Sequence, residues 1–268
     1  MLHISIKAEE IFNVLGVPVT NSLIASFLVV IIFLLIGLYF SRNAESTSSK
    51  AVFFIRFIII KLHETFEPIL GKLNSRVFPF VVSLFLFIIL ANWLGLLPGF
   101  GSITFKKTPA YSVSIDRLEN ETEERNTSET KQVDAEEPPS PLLRGATADL
   151  NMTLALALLA FIAIQYYGFK EVGVRGYLGK FITFKGPIDF FSGILELISE
   201  FSKIISFSFR LFGNIFAGEV LLAVIAFLIP VLASFPFLML EVFVGFIQAI
   251  VFAMLTAVFI NTAAAKHH

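Results

Sequence analysis

Apolar residues in this chain do not alternate with polar ones; they come in long blocks. Five blocks stand out: 19–40, 77–97, 149–169, 187–229 and 234–264. A helix rises about 1.5 Å per residue and a bilayer core is about 30 Å thick, so about 20 apolar residues suffice to cross it. Each block therefore predicts a membrane helix, and the last two are long enough to require tilt. Asn21 and Ser22 suit the start of the first. Pro79 interrupts the second only mildly, and Asn92 and Trp93 lie near its far end, where tryptophan favours the membrane–water interface. Pro98 and Gly99 then break the helix. Asp149 opens the third block, and an acid at a helix N-terminus is favourable.

The segment 51–70 is different. Arg56, Lys61, His63 and Glu64 interrupt its apolar residues, so it reads as an amphipathic helix lying in the interface, with a buried core helix as the alternative. Residues 41–50 form a polar turn. The stretch 102–147 has no apolar run; it carries nine acids and six bases, with Pro138, Pro139 and Pro141. It reads as an extramembrane acidic loop, without fixed structure at 112–141 and with room for a β-hairpin at 104–115. The expected fold class is all-α: a polytopic membrane protein, one membrane domain over 1–268, with about five membrane helices and one interfacial helix.

Composition agrees. The chain is 56% hydrophobic, whereas a soluble domain averages about 45–50% apolar. With no cysteine, disulfides, thiolate metal sites and cysteine nucleophiles are excluded. The four histidines, His3, His63, His267 and His268, lack zinc-binding helix spacing, so no metal and no cofactor are expected. A net charge of −1 argues against a nucleic-acid partner. Residues 1–18 carry Lys7, Glu9 and Glu10 and do not read as a signal peptide. Lys and Arg number six in 41–76 and four in 170–185. The positive-inside rule puts both segments on the cytoplasmic side, with 102–147 and the N-terminus outside.

Charges inside the blocks carry the chemistry. Arg210 lies near the middle of 187–234. An arginine at the centre of a membrane helix costs about 2.5 to 3.5 kcal/mol on insertion scales and cannot shed its proton. Reaching the headgroups is the bland explanation; a fixed charge facing something inside the membrane is the functional one. At about 100° per residue, Glu196, Lys203, Arg210 and Asn214 share a narrow arc, joined by Ser199 and Ser206. Glu219 points to the opposite side. On the last block Glu241 and Gln248 share a face. Glu219 and Glu241 across the hairpin would make an acid pair able to take up and release protons. The alternative is two helix-end acids reaching water. Gln248 is a candidate to hold Arg210.

The string Phe209-Arg-Leu-Phe-Gly-Asn-Ile-Phe-Ala-Gly-Glu219, preceded by Glu196 and followed by Gln248, resembles subunit a of the F-type ATP synthases. ADLNMTLALAL at 148–158, ANWLGLLPG at 91–99 and PVTNSLIAS at 18–26 extend the resemblance over most of the chain. The resemblance implies a stator subunit of the F0 proton channel, not an enzyme by itself, with 187–264 as the ion-translocating hairpin. Its implied partners are a ring of small hairpin subunits, b-type peripheral stalk subunits and the lipid bilayer. It implies an outer half-channel near Glu219, Glu241 and Asn151, and an inner one near Glu196 and Ser199. Arg210 would be the essential residue between them, with Asn214 and Gln248 beside the pathway. A bacterial inner membrane is the expected location, an organelle's energy-transducing membrane the alternative. Many relatives have a histidine where this chain has one of its two acids, and a shorter connection in place of 102–147. A stand-alone channel or secondary transporter with a midplane arginine is the competing function; a membrane enzyme with a glutamate acid/base pair ranks below it.

Overall fold

The computed structural model describes residues 10–14, 17–43, 49–97, 104–105, 140–141, 144–179, 181, 186–228 and 234–265. Among the described residues seven α-helices carry the fold: α1 Asn21–Arg42, α2 Lys50–Leu70, α3 Asn74–Gly95, α4 Leu150–Val172, α5 Val174–Gly179, α6 Pro187–Leu228 and α7 Ser234–Ala264. Five segments of the described residues are long and apolar enough to cross a membrane: α1, the α2–α3 run, α4, α6 and α7. The chain is an all-α polytopic membrane protein, as its apolar blocks predicted. The expectations for residues 1–9, 98–101, 112–139 and Pro230 lie outside the described residues.

Two short antiparallel pairings were not foreseen. Strands β1 (Glu10–Val14) and β2 (Val17–Thr20) form a hairpin ahead of α1. The hairpin considered at 104–115 is not what forms at its start: β3 (Thr104–Phe105) pairs with β4 (Ser140–Pro141), across the acidic stretch. Alternation of β-branched and aromatic residues over so few positions is a weak signal beside helical blocks of twenty or more.

Helix ends follow local chemistry. Thr20 caps α1 by accepting the Leu23 N–H. Ser22 is thereby free to donate to Asp149 Oδ2 at 2.6 Å, tying α1 to the start of α4. Asp149 also caps α4, its Oδ1 accepting the Asn151 N–H at 3.0 Å, as its position predicted. At the far end of α4, Gly173 has φ 83° and ψ 153° while its N–H bonds to Phe169 O. That conformation is open to glycine and costly for any other residue. In α2, Leu62, Phe66 and Leu70 are buried at four-residue spacing, the stripe by which it packs on α3 and α7. Its other side leaves Phe53, Phe54 and Phe57 exposed. Pro68 lies within α2, and a 3-10 turn at Gly71–Leu73 joins it to α3.

The core lies where α3, α4, α6 and α7 meet, filled by Val77, Phe85, Ile88, Ile164, Phe207, Leu211, Phe252 and Ile260. Polar ties pin both ends of the bundle. At one end Arg76 pairs with Glu171 at 3.0 Å, and Asn261 donates to Ile69 O. At the other, Asn92 Nδ2 donates to Gly245 O and Trp93 Nε1 to Val242 O, both at 3.0 Å. The start of α3 thus meets the ends of α4 and α7, while its end meets the start of α7. This is the up–down alternation the basic loops implied.

Candidate functional site

Helix α6 has 42 residues, which is about 63 Å at 1.5 Å per residue and far more than a bilayer core. Its buried positions, among them Gly193, Glu200, Phe207, Leu211 and Gly218, recur every seven or four residues and face α4 and α7. Arg210 falls outside that set. Its side chain is exposed, and its one hydrogen bond among the described residues is to Ser206 Oγ on the preceding turn, at 3.4 Å. Ser199 and Ser206 are exposed as well, while Glu196 and Asn214 are half-buried. The Asn214 amide nitrogen is buried with no hydrogen-bond partner among the described residues.

Toward the C-terminal end of α6, Glu219 and Glu241 line one small cavity together with Asn92, Gly145 and Thr147. Its volume of about 20 Å³ is room for roughly one water molecule. Thr147 donates to Asn92 Oδ1 at 2.7 Å, which fixes the floor. Gly95 and Gly145 meet backbone to backbone there, so a side chain on Gly95 would press on Gly145 Cα. Glu241 lies against Gly218, where any Cβ would overlap its carboxyl group. The two acids are therefore brought to one site by a glycine on α6.

A valine at 218 would push the Glu241 carboxyl aside, and a misplacement of about 1 Å can cost about a hundredfold. Gly218→Val is expected to lower proton pumping by inverted vesicles by roughly tenfold per assembled complex. Gly37→Val, at a site with nothing within 4 Å, is expected to pump normally.

Sequence reasoning missed two charged residues of these clusters, Arg144 and Glu200. Arg144, 11% exposed, pairs with Glu219 Oε2 at 3.3 Å, and its guanidinium sits 6.0 Å above the Phe216 ring. It belongs to the last residues of the acidic stretch, where Ala146 and Thr147 are also buried. An arginine in a polar run gives no periodic signal. Glu200 is 2% exposed and pairs with Lys203 at 2.7 Å; its three-residue spacing from that lysine is the signal that was available. Gln165 joins the group by donating to Glu200 Oε2 at 3.1 Å and accepting the Tyr177 hydroxyl at 2.8 Å. Burial first, then the charges of Glu200 and Glu196, push the Tyr177 hydroxyl up to about 12; it stays a donor.

Two expected contacts are not among those the described residues make. No hydrogen bond or ion pair among the described residues joins Gln248 to Arg210; near this level Phe207 of α6 packs on Phe252 of α7 at 4.9 Å. Asn151 is exposed and is not among the residues lining the Glu219–Glu241 cavity. Its backbone is spent on the Asp149 cap.

A family model of the ATP synthase A chain matches residues 23–261, from the first turn of α1 to the last turn of α7. The chain belongs to the ATP synthase A chain family. As such it is an integral membrane protein and a non-catalytic stator subunit of the F0 proton channel, a sector that assembles with a ring and a stalk. The clusters at Glu200 and Glu219 lie ten and nine residues from Arg210, about 15 and 13 Å along the axis.

Proposed function

We propose that Arg210 is the essential residue of this stator, facing the rotating ring and separating two aqueous half-channels. The observation that carries this reading is the setting of the guanidinium: exposed at mid-helix, bonded among the described residues only to Ser206, between two polar groups. The outer half-channel runs by Glu219 and Glu241, the inner by Glu196 and Ser199. The hairpin 187–264 is the translocating unit of a single membrane domain, and the acidic stretch lies outside the membrane. The membrane is a bacterial inner membrane.

The mechanism follows from charge. Each ring subunit brings one membrane carboxylate. A proton entering by the outer path is received by the Glu219–Glu241 pair and passed to that carboxylate. The neutral acid can then travel through lipid. Returning to Arg210, the carboxylate is favoured in its ionised form by the opposite charge, so its proton leaves by the inner path. The guanidinium repels protons and bars a direct leak between the two paths. Asn214 stands beside the pathway, four residues beyond Arg210. The driving force is about 2.3 kcal/mol per charge per 100 mV.

The absence of native cysteine permits a direct test. With one cysteine at 206 and one in the outer helix of the ring subunit, oxidation is expected to form a stator–ring crosslink. A cysteine at Leu35, exposed on α1, is expected to form none. Equal crosslinking at both positions, or none at 206, would refute the placement of the ring.

A further inference from the structure

Helices α6 and α7 together carry two cations, Lys203 and Arg210. Seven residues separate them, about 10 Å along the axis and nearly the same direction around it. In a low-dielectric layer a charge at that distance still acts strongly on a carboxylate. A ring carboxylate drawn to Arg210 would therefore sense Lys203 as a second trap on its way to the inner path, unless that charge were cancelled.

It is cancelled from within the chain. Lys203 Nζ lies 2.7 Å from Glu200 Oε1, with the two side chains 17% and 3% exposed. The ammonium rests 4.6 Å from the centre of the Phe259 ring on α7. Glu200 is itself held in place, since its other oxygen accepts from Gln165, which accepts from Tyr177. Tyr177 is locked in turn. Its ring lies over Gly168, where any Cβ would overlap it, and it packs on Phe169 and Phe181 at 4.6 and 5.6 Å. The chain of contacts thus runs from α5 through α4 to α6 and ends on one ammonium group. Arg210 has no carboxylate partner among the described residues and hydrogen-bonds only to Ser206.

We infer that Glu200 is a positioning residue: it neutralises Lys203 and draws its ammonium toward α7, so that Arg210 is left as the uncompensated cation of the α6–α7 pair. This inference rests on the role proposed for Arg210 above. The lysine is tolerated because it is silenced, and Gln165 and Tyr177 hold the group that silences it.

The test uses the whole ATP synthase in proteoliposomes, with rates scaled to assembled complex and the onset of synthesis measured against an imposed membrane potential. Glu200→Gln is expected to slow proton-driven ATP synthesis roughly tenfold and to raise the potential at which synthesis begins. A merely structural defect would lower the rate alike at all potentials and leave the onset where it was. Glu200→Gln with Lys203→Gln, which removes both charges of the pair, is expected to start at the wild-type potential with a rate within about twofold of wild type. An unshifted onset in Glu200→Gln overturns the inference, as does a double variant that remains as slow as Glu200→Gln. Arg210→Ala is run in parallel. If it is inactive while Glu200→Gln behaves as wild type, only this inference fails; if it synthesises ATP normally, the reading of Arg210 fails with it.

Discussion

Arg210→Ala is expected to abolish proton-driven ATP synthesis while the complex still assembles. The side chain is exposed on α6 and its hydrogen bond among the described residues is to Ser206 on the same helix, so its loss is expected to leave the bundle intact. On the role proposed for Arg210, what is lost is the attraction that ionises the ring carboxylate. At about 4 Å and an effective dielectric of about 20, a unit charge pair is worth about 4 kcal/mol, close to a thousandfold in rate. Arg210→Lys is expected to fail too: a lysine offers a compact point charge and a labile proton in place of a planar, permanently charged fork. The checks are ATP synthesis in energised vesicles and co-purification of the ring with the variant chain. Synthesis at wild-type rate in Arg210→Ala would end the reading of this residue as the gate.

The second large effect is expected from the acid pair. Glu219→Gln alone is expected to slow transport only a few-fold, because Glu241 lines the same cavity and can carry the proton in its place. Glu219→Gln with Glu241→Gln removes every carboxylate from that cavity. Proton transfer by a positioned side chain typically contributes about 10²–10⁴-fold, so the double variant is expected to fall by about a hundredfold or more. The excess over the product of the single effects measures the coupling of the two acids. Passive proton conductance of F0 after removal of the soluble sector is the cleanest measurement, since it excludes the ATP chemistry. A double variant no worse than the product of its singles would show that the acids do not share one path. Arg144 belongs to this site as well: its ion pair to Glu219 sets where that carboxylate points.

Block length and the cost of charge in lipid made much of this protein legible in its residues. Runs of twenty or more apolar residues can satisfy their backbone in a bilayer only as helices, so the membrane helices and their approximate ends followed directly. Asp149 announced the start of α4 by its own capping chemistry, and Arg210 announced itself because a permanent charge at mid-block needs a reason. The arc of Glu196, Lys203, Arg210 and Asn214 followed from helical periodicity. Periodicity also over-reached: it placed Lys203 beside Arg210 as one stripe, while the ion pair to Glu200 separates the two in character. Which residues of different helices meet was decided only by the tertiary structure. Arg144 reaching Glu219, Glu200 bound by Gln165 and Gly218 giving way to Glu241 all depend on how helices cross. A crossing is set by many small packing contacts spread over distant parts of the chain, and no local pattern of residues encodes it.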